Sequence, residues 1–114
     1  MAAPRIRLLI GETVALGPGK AALLRAIEEA GSISGAARAM SMSYRRAWDL
    51  VDRMNADFTG PLVERVKGGR GGGGARLTEL GKDALGRYER IEDKASHAVA
   101  QDLEEFAPLL RDPD

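Results

Sequence analysis

The chain has 114 residues, which is the length of one domain with a modest core, so we expect a single domain over 1–114. Its 44% hydrophobic and 30% charged residues are typical of a globular protein and argue against a disordered or membrane-spanning one, while 17 basic and 17 acidic side chains sum to zero. With no cysteine and one histidine, disulfide frameworks, zinc fingers and multi-histidine metal sites are excluded, and we expect no cofactor.

The N-terminal segment predicts a short strand. Residues 5–10 alternate between basic and apolar side chains and then run apolar as far as Gly11. Because Gly11 and Glu12 interrupt the apolar run, we expect neither a signal peptide nor a membrane partner, and cytoplasmic localisation is the default.

Two helices are predicted next. The first runs from Pro18 to Ala30, because Leu23, Leu24 and Ile27 recur at helical spacing and Gly31 follows as a stop. The second is short and ends near Met40, with Ser32 and Ser34 as candidate N-caps. Small residues at 35–37 allow the close crossing that a helix-turn-helix requires.

A third helix is predicted from Tyr44 to about Phe58, after an N-cap at Ser43. At 100° per residue its apolar side carries Ala47, Leu50, Val51, Met54 and Phe58. The opposite side carries Arg45, Asp49, Asp52, Arg53 and Ala56, with Arg46 beside it. An exposed basic first turn after a short helix and a tight turn is the arrangement that places a helix in a DNA major groove.

The segment 62–77 predicts a β-hairpin with a long tip. Residues 62–66 and 76–77 form its strands, and a loop with six glycines joins them. The bare amides of this loop could cradle a phosphate, but no Gly-Lys-Ser or Gly-Lys-Thr follows, which argues against a nucleotide-binding loop. A wing that reaches minor-groove phosphates is the favoured interpretation, and a solvated turn is the alternative.

A long last helix is predicted from Thr78 to about 110. Its apolar positions recur every 3.7 residues or so, and its length of roughly 45 Å exceeds what a core of this size can cover. We expect a second copy of the chain to cover the rest of the apolar side of this helix. The residues assigned to this dimer interface are Tyr88, Ile91, Ala95, Val99, Leu103 and Phe106.

This order of elements is that of a winged helix-turn-helix, a mainly α fold with a small β-hairpin wing and here a long C-terminal dimerisation helix. Three segments, at 31–37, 42–48 and 68–78, also resemble the N-terminal DNA-binding domain of the ModE family of molybdate-responsive regulators, which is LysR-like. The resemblance covers about residues 4–95.

The resemblance implies a homodimeric regulator that binds double-stranded operator DNA through its winged domain. Members of the family carry C-terminal molybdate-binding domains, and residue 114 comes before any such domain. We therefore expect DNA binding without direct molybdate sensing, which leaves room for a separate effector protein that binds the acidic tail.

Eight residues are candidates for DNA contact. They are Ser43, Tyr44, Arg45, Arg46 and Arg53 on the third helix, with Lys67, Arg70 and Arg76 on the wing. The alternative to DNA contact is that Arg45 and Arg53 pair with Asp49 along the helix. For Tyr44 two roles stay open, contact with a phosphate and bracing of the helix against the domain. Trp48 is expected to brace the core.

The function predicted from these features is DNA-binding transcriptional regulation. The alternative is a protein-interaction module with a winged-helix fold and little DNA binding. An enzyme is not expected, because His97 lies in the last helix, where a dimer seam or a solvated surface explains it, and no acid, base and nucleophile combine.

The zero net charge conceals two opposite halves. Residues 1–90 hold 15 basic and 10 acidic side chains, whereas residues 91–114 hold 2 and 7. The charge pattern thus permits a nucleic-acid partner and predicts that the acidic end of the last helix turns away from the phosphates.

Overall fold

The computed structural model describes residues 8–10, 13–67 and 73–111. In chain order the elements are β1 (Leu8–Ile10), β2 (Thr13–Leu16), α1 (Pro18–Ala30), α2 (Ile33–Ala39), α3 (Tyr44–Asp57), β3 (Val63–Val66), β4 (Gly74–Leu77), α4 (Glu79–Ala98) and α5 (Ala100–Phe106). The three helices α1 to α3 and the later hairpin are confirmed. None of the described helices is long and apolar enough to cross a membrane.

The N-terminal strand is part of a hairpin that the sequence did not predict. β1 and β2 pair antiparallel, with Ile10 opposite Thr13 and Leu9 opposite Val14. The predicted strand began at Arg5, and its first residues, 5–7, lie outside the described part of the chain.

Local signals set the ends of the first three helices. Pro18 occupies the first turn of α1, and Gly31 ends that helix in the left-handed region, at φ 73°. Ser32 caps α2 by accepting a hydrogen bond from the backbone N–H of Gly35, so the cap is Ser32 and not Ser34. In the turn that follows, Ser41 adopts the left-handed conformation, at φ 55°, which lets the chain reverse direction sharply before α3.

The core lies where α1, α2, α3, the two hairpins and the start of α4 meet. Each helix turns its apolar side inward because burying that side removes it from water. The largest fully buried side chains are Leu16, Leu23, Leu24, Ile27, Val51, Met54, Leu62 and Tyr88.

β3 and β4 form the wing of a winged helix-turn-helix. They pair antiparallel with Val63 opposite Leu77 and Glu64 opposite Arg76. Two hydrogen bonds close the base of the wing, from the Thr78 N–H to Leu62 O at 2.9 Å and from the Thr78 hydroxyl to Pro61 O at 2.7 Å. A third, from the Ala75 N–H to Gly31 O at 2.9 Å, ties β4 to the end of α1.

The last helix is interrupted once along its length. α4 ends at Ala98, Val99 leaves helical geometry at φ −108° and ψ 7°, and α5 covers only residues 100–106 before a single 3-10 turn. Pro108 cannot occupy a helix interior, which explains why α5 ends just before it. No described residue beyond Tyr88 is buried in the chain's own core. The long C-terminal helix that was predicted is thus present, with one interruption, at Val99, and with a 3-10 turn in place of its last predicted turn.

Candidate nucleic-acid interface

The exposed side of α3 carries three arginines. Arg45 and Arg46 lie in the first turn and Arg53 lies two turns farther along. All three are exposed, whereas Ala47 and Val51 on the opposite side are buried. Within the described ranges, none of the three arginines has a hydrogen-bond or ion-pair partner, so the alternative in which Arg45 and Arg53 pair with Asp49 does not occur.

The position of these charges is unfavourable for the helix itself. The first turn of α3 contains no acidic residue and two basic ones, Arg45 and Arg46. A helix N-terminus carries partial positive charge, and basic residues there cost a few tenths of a kcal/mol. The positive charge at this end therefore lowers the stability of the helix and attracts an external anion.

Ser43 is the N-cap of α3. Its Oγ accepts a hydrogen bond from the Arg46 N–H at 3.0 Å, which leaves the hydroxyl proton available to an external acceptor. The cap is confirmed, and phosphate contact from Ser43 stays a prediction.

An aromatic pair lies at the start of α3. Tyr44 is 51% exposed and meets Trp48 edge-to-face, with ring centroids 6.2 Å apart. Trp48 is half-buried against the core, as predicted. The guanidinium of Arg65, from β3, lies 4.3 Å from the centroid of the Trp48 ring. Sequence reasoning missed Arg65, although strand alternation places it on the same face as the buried Val63.

The two faces of the wing differ in charge. Arg76 pairs with Glu64 at 2.7 Å, directly across the register, so its charge is offset by a neighbour. Arg65 lies on the other face, toward α3, and Lys67 is exposed at the end of β3. Arg70, the remaining wing candidate, lies outside the described residues.

An open cleft of about 670 Å³ separates the wing from α2 and the start of α3. The described residues that line it include no acidic side chain: they are Ser32, Ile33, Ser34, Tyr44, Trp48, Arg65, Val66, Lys67, Gly73, Gly74 and Ala75. With two cations and several hydroxyl groups at its walls, the cleft suits an anionic ligand.

Asn55 fixes the wing to α3, a role that sequence reasoning also missed. Its Oδ1 accepts hydrogen bonds from the N–H groups of Leu62 at 2.8 Å and Val63 at 3.1 Å, and its Nδ2 donates to Val63 O at 3.2 Å. These bonds join the C-terminal half of α3 to the first strand of the wing. The helix and the wing therefore present their charges in a fixed relation.

The residues predicted for dimerisation divide into two groups. Tyr88 is only 1% exposed and belongs to the chain's own core, so its assignment to a dimer interface was wrong. It lies one turn too early in the helix, where the domain still covers α4. The others remain accessible: Ile91 and Phe106 are exposed at 41% and 55%, and Ala95, Val99 and Leu103 are half-buried.

Comparison with known proteins gives relatives that are named for molybdenum or for transcriptional regulation. The chain is similar to the molybdenum transport protein ModE of Azotobacter vinelandii, with 36% identity over 107 residues, which cover 84% of this chain and 40% of the relative. It is 40% identical over 88 residues to the DNA-binding transcriptional dual regulator ModE of Escherichia coli K12, covering 75% of this chain and 34% of the relative. A third relative, the molybdenum-pterin-binding protein MopB of Rhodobacter capsulatus, is 46% identical over 77 residues, covering 68% and 28%.

These similarities agree with the resemblance to the ModE family. The chain spans about two fifths or less of the length of these relatives. Residues 20–82, which include most of α1, all of α2, α3 and the wing, and the start of α4, match the family described as bacterial regulatory helix-turn-helix protein, lysR family. The chain belongs to the lysR family of bacterial regulatory helix-turn-helix proteins.

Proposed function

We propose that this protein is a cytoplasmic transcriptional regulator of the ModE type, rather than an enzyme, and that it binds double-stranded DNA with α3 in the major groove. The observation that carries the proposal is the exposed basic first turn of α3, whose two arginines have no partner within the described chain. Phosphates and guanine edges are the acceptors that such arginines bind.

The proposed contacts have different roles. Arg45 and Arg46, at the entrance of α3, contact guanine edges or adjacent phosphates, and Arg53, two turns farther along, contacts a phosphate. Ser43 and the Tyr44 phenol add hydrogen bonds to the backbone at the same end. On the wing, Lys67 and Arg70 supply charge near the minor groove, and Arg76, already paired with Glu64, contributes less.

The exposed apolar side chains of α4, α5 and the turn after them support a homodimer. Beyond Tyr88 the described residues have no core of their own, yet Ile91, Phe106, Leu109 and Leu110 are large, apolar and exposed. Large apolar side chains exposed to water favour a partner, and a second copy of the chain presents the same side chains. In such a dimer two copies of α3 reach half-sites about one helical turn apart, or a small multiple of that.

The names of the relatives suggest a physiological context. Because two of them are named for molybdenum and one for transcriptional regulation, we propose that the regulated genes serve molybdenum metabolism. We also propose the acidic segment 91–114 as the contact for a separate effector protein.

Selection of bound duplexes from a random pool, followed by a salt titration of the selected duplex, tests the function. A regulator that neutralises several phosphates should lose about 10³-fold or more in affinity between 50 and 200 mM salt. A protein-interaction module would recover no common sequence and would leave the duplex unbound even at the lower salt concentration, which would refute DNA recognition.

A further inference from the structure

The cleft between α3 and the wing lies where a DNA strand has to pass. In B-DNA one sugar-phosphate backbone separates the major groove from the adjacent minor groove. A protein that places a helix in the first groove and a wing at the second must straddle that backbone. In this chain the gap between the two elements is the cleft lined by Tyr44, Trp48, Arg65 and Lys67.

Arg65 is already oriented for such a ligand. Its guanidinium stacks over the Trp48 ring at 4.3 Å, and it has no acidic partner among the residues that the structure describes. A stacked guanidinium loses rotational freedom but keeps the N–H groups at its edge free to donate, which suits bidentate binding of a phosphate. Arg76, on the opposite face of the wing, has Glu64 as its partner instead.

Trp48 supplies the surface that holds Arg65. The indole is half-buried against the core and is braced by the edge of Tyr44, so its ring cannot move freely. Asn55 fixes β3 to α3 and thereby sets where Arg65 can lie relative to this ring.

We propose that Arg65, positioned by Trp48, binds the phosphate backbone that runs between the two grooves contacted by α3 and the wing. This inference rests on the proposed function, and it adds a contact that links helix and wing on one DNA strand. Because the contact is to phosphate, it strengthens binding to every sequence by a similar factor.

Affinity measurements on the full chain with two labelled duplexes, one selected by the wild-type protein and one scrambled, test the role of Arg65. Arg65→Ala should weaken both complexes by about 10-fold, and the slope of log affinity against log salt should fall by about one. The matched control is Arg90→Ala, which removes an exposed arginine of α4 that does not line the cleft and should change affinity less than about 2-fold.

Double substitution separates the positioning role of Trp48 from a purely structural one. Trp48→Leu should weaken binding about 5-fold in the wild-type chain but should have little further effect when Arg65 is already alanine. If Trp48 acted only on folding, its effect would be the same in both backgrounds. Helical circular dichroism of each variant confirms that the compared chains are folded.

The outcomes distinguish this inference from the proposed function. Tight binding by the wild type that is lost in Arg45→Ala but unchanged in Arg65→Ala overturns the inference and leaves the function standing. A tenfold loss confined to the selected duplex would also overturn it, because Arg65 would then read bases. Failure of the wild type to bind either duplex would refute both the inference and the proposed function.

Discussion

Position 81 decides how closely α4 approaches the wing. A Cβ atom on Gly81 would overlap the carbonyl oxygen of Leu62, and that oxygen is backbone and accepts the hydrogen bond from Thr78 that closes the wing. The Thr78 cap was visible in the sequence as a local signal, and its Oγ1 accepts from the Gly81 N–H as expected of a cap. The need for glycine was not visible, because it depends on a residue distant along the chain.

Gly81→Ala should therefore lower the free energy of unfolding by about 1–3 kcal/mol, since the backbone of Leu62 cannot yield without loss of the hairpin base. Gly86→Ala, in the same helix, is the matched control. Its nearest neighbour is the flexible end of Arg90 at 3.9 Å, so helix propensity should raise stability by about 0.5–1 kcal/mol. Urea denaturation of the two variants checks the opposite signs, and destabilisation of equal size in both would contradict the close approach.

Among the elements, those with strong local signals were the predictable ones. The helix bounds at Pro18, Gly31 and Ser43 follow from residues that start or stop helices without reference to the rest of the fold. The β1–β2 pairing depends on contacts between segments, and no glycine or proline marks the interruption at Val99, so periodicity revealed neither feature. The predicted helix also extended to about residue 110, past Pro108, where the chain forms only a 3-10 turn.

The candidate site shows the same division. The sequence placed Arg45 and Arg46 on the exposed side of α3 because helical geometry follows from a fixed angle per residue. It could not foresee that Glu64 offsets Arg76 or that Arg65 stacks on Trp48, since both depend on register and on how the wing docks against α3.

The docking of the wing rests on Asn55, whose removal we expect to loosen it. Asn55→Leu deprives two N–H groups and one carbonyl of their partner and should cost about 2–3 kcal/mol of stability. DNA affinity of the folded variant should also fall, because the wing and α3 are no longer held together. Asp52→Ala, an exposed substitution in the same helix, should shift stability by less than about 0.5 kcal/mol.

Thermal denaturation and fluorescence anisotropy on labelled duplex together check the Asn55 prediction. Loss of stability without any change in the affinity of the folded protein would show that the wing is placed by other contacts, such as the bond from Ala75 to Gly31.

At the scale of the whole molecule, basic charge and exposed apolar side chains belong to different segments. The basic α3 and wing lie within residues 44–77, and the acidic segment with exposed apolar side chains follows Tyr88. This arrangement allows a single chain to face phosphates with one part and a second copy with the other.

The dimer has a direct test on α4. Ile91→Glu puts a charge into the exposed apolar surface and should convert a dimer into a monomer with its helical circular dichroism largely intact, because the core up to Tyr88 is internal to the chain. Ser96→Glu makes the same charge change about 140° around the helix and should leave the dimer intact. Sedimentation velocity distinguishes the two states, and a wild-type monomer would contradict the proposed association.

The central claim is that the first turn of α3 reads DNA, and its most direct test is the affinity of Arg45→Ala/Arg46→Ala for the selected duplex. We predict a loss of about 100-fold with unchanged helical circular dichroism, since two charged contacts disappear and neither arginine has a partner within the described chain. Arg87→Ala/Arg90→Ala removes the same charge from α4 and should bind within a few-fold of wild type. Wild-type affinity in the α3 variant, or an equal loss in both, would contradict the account.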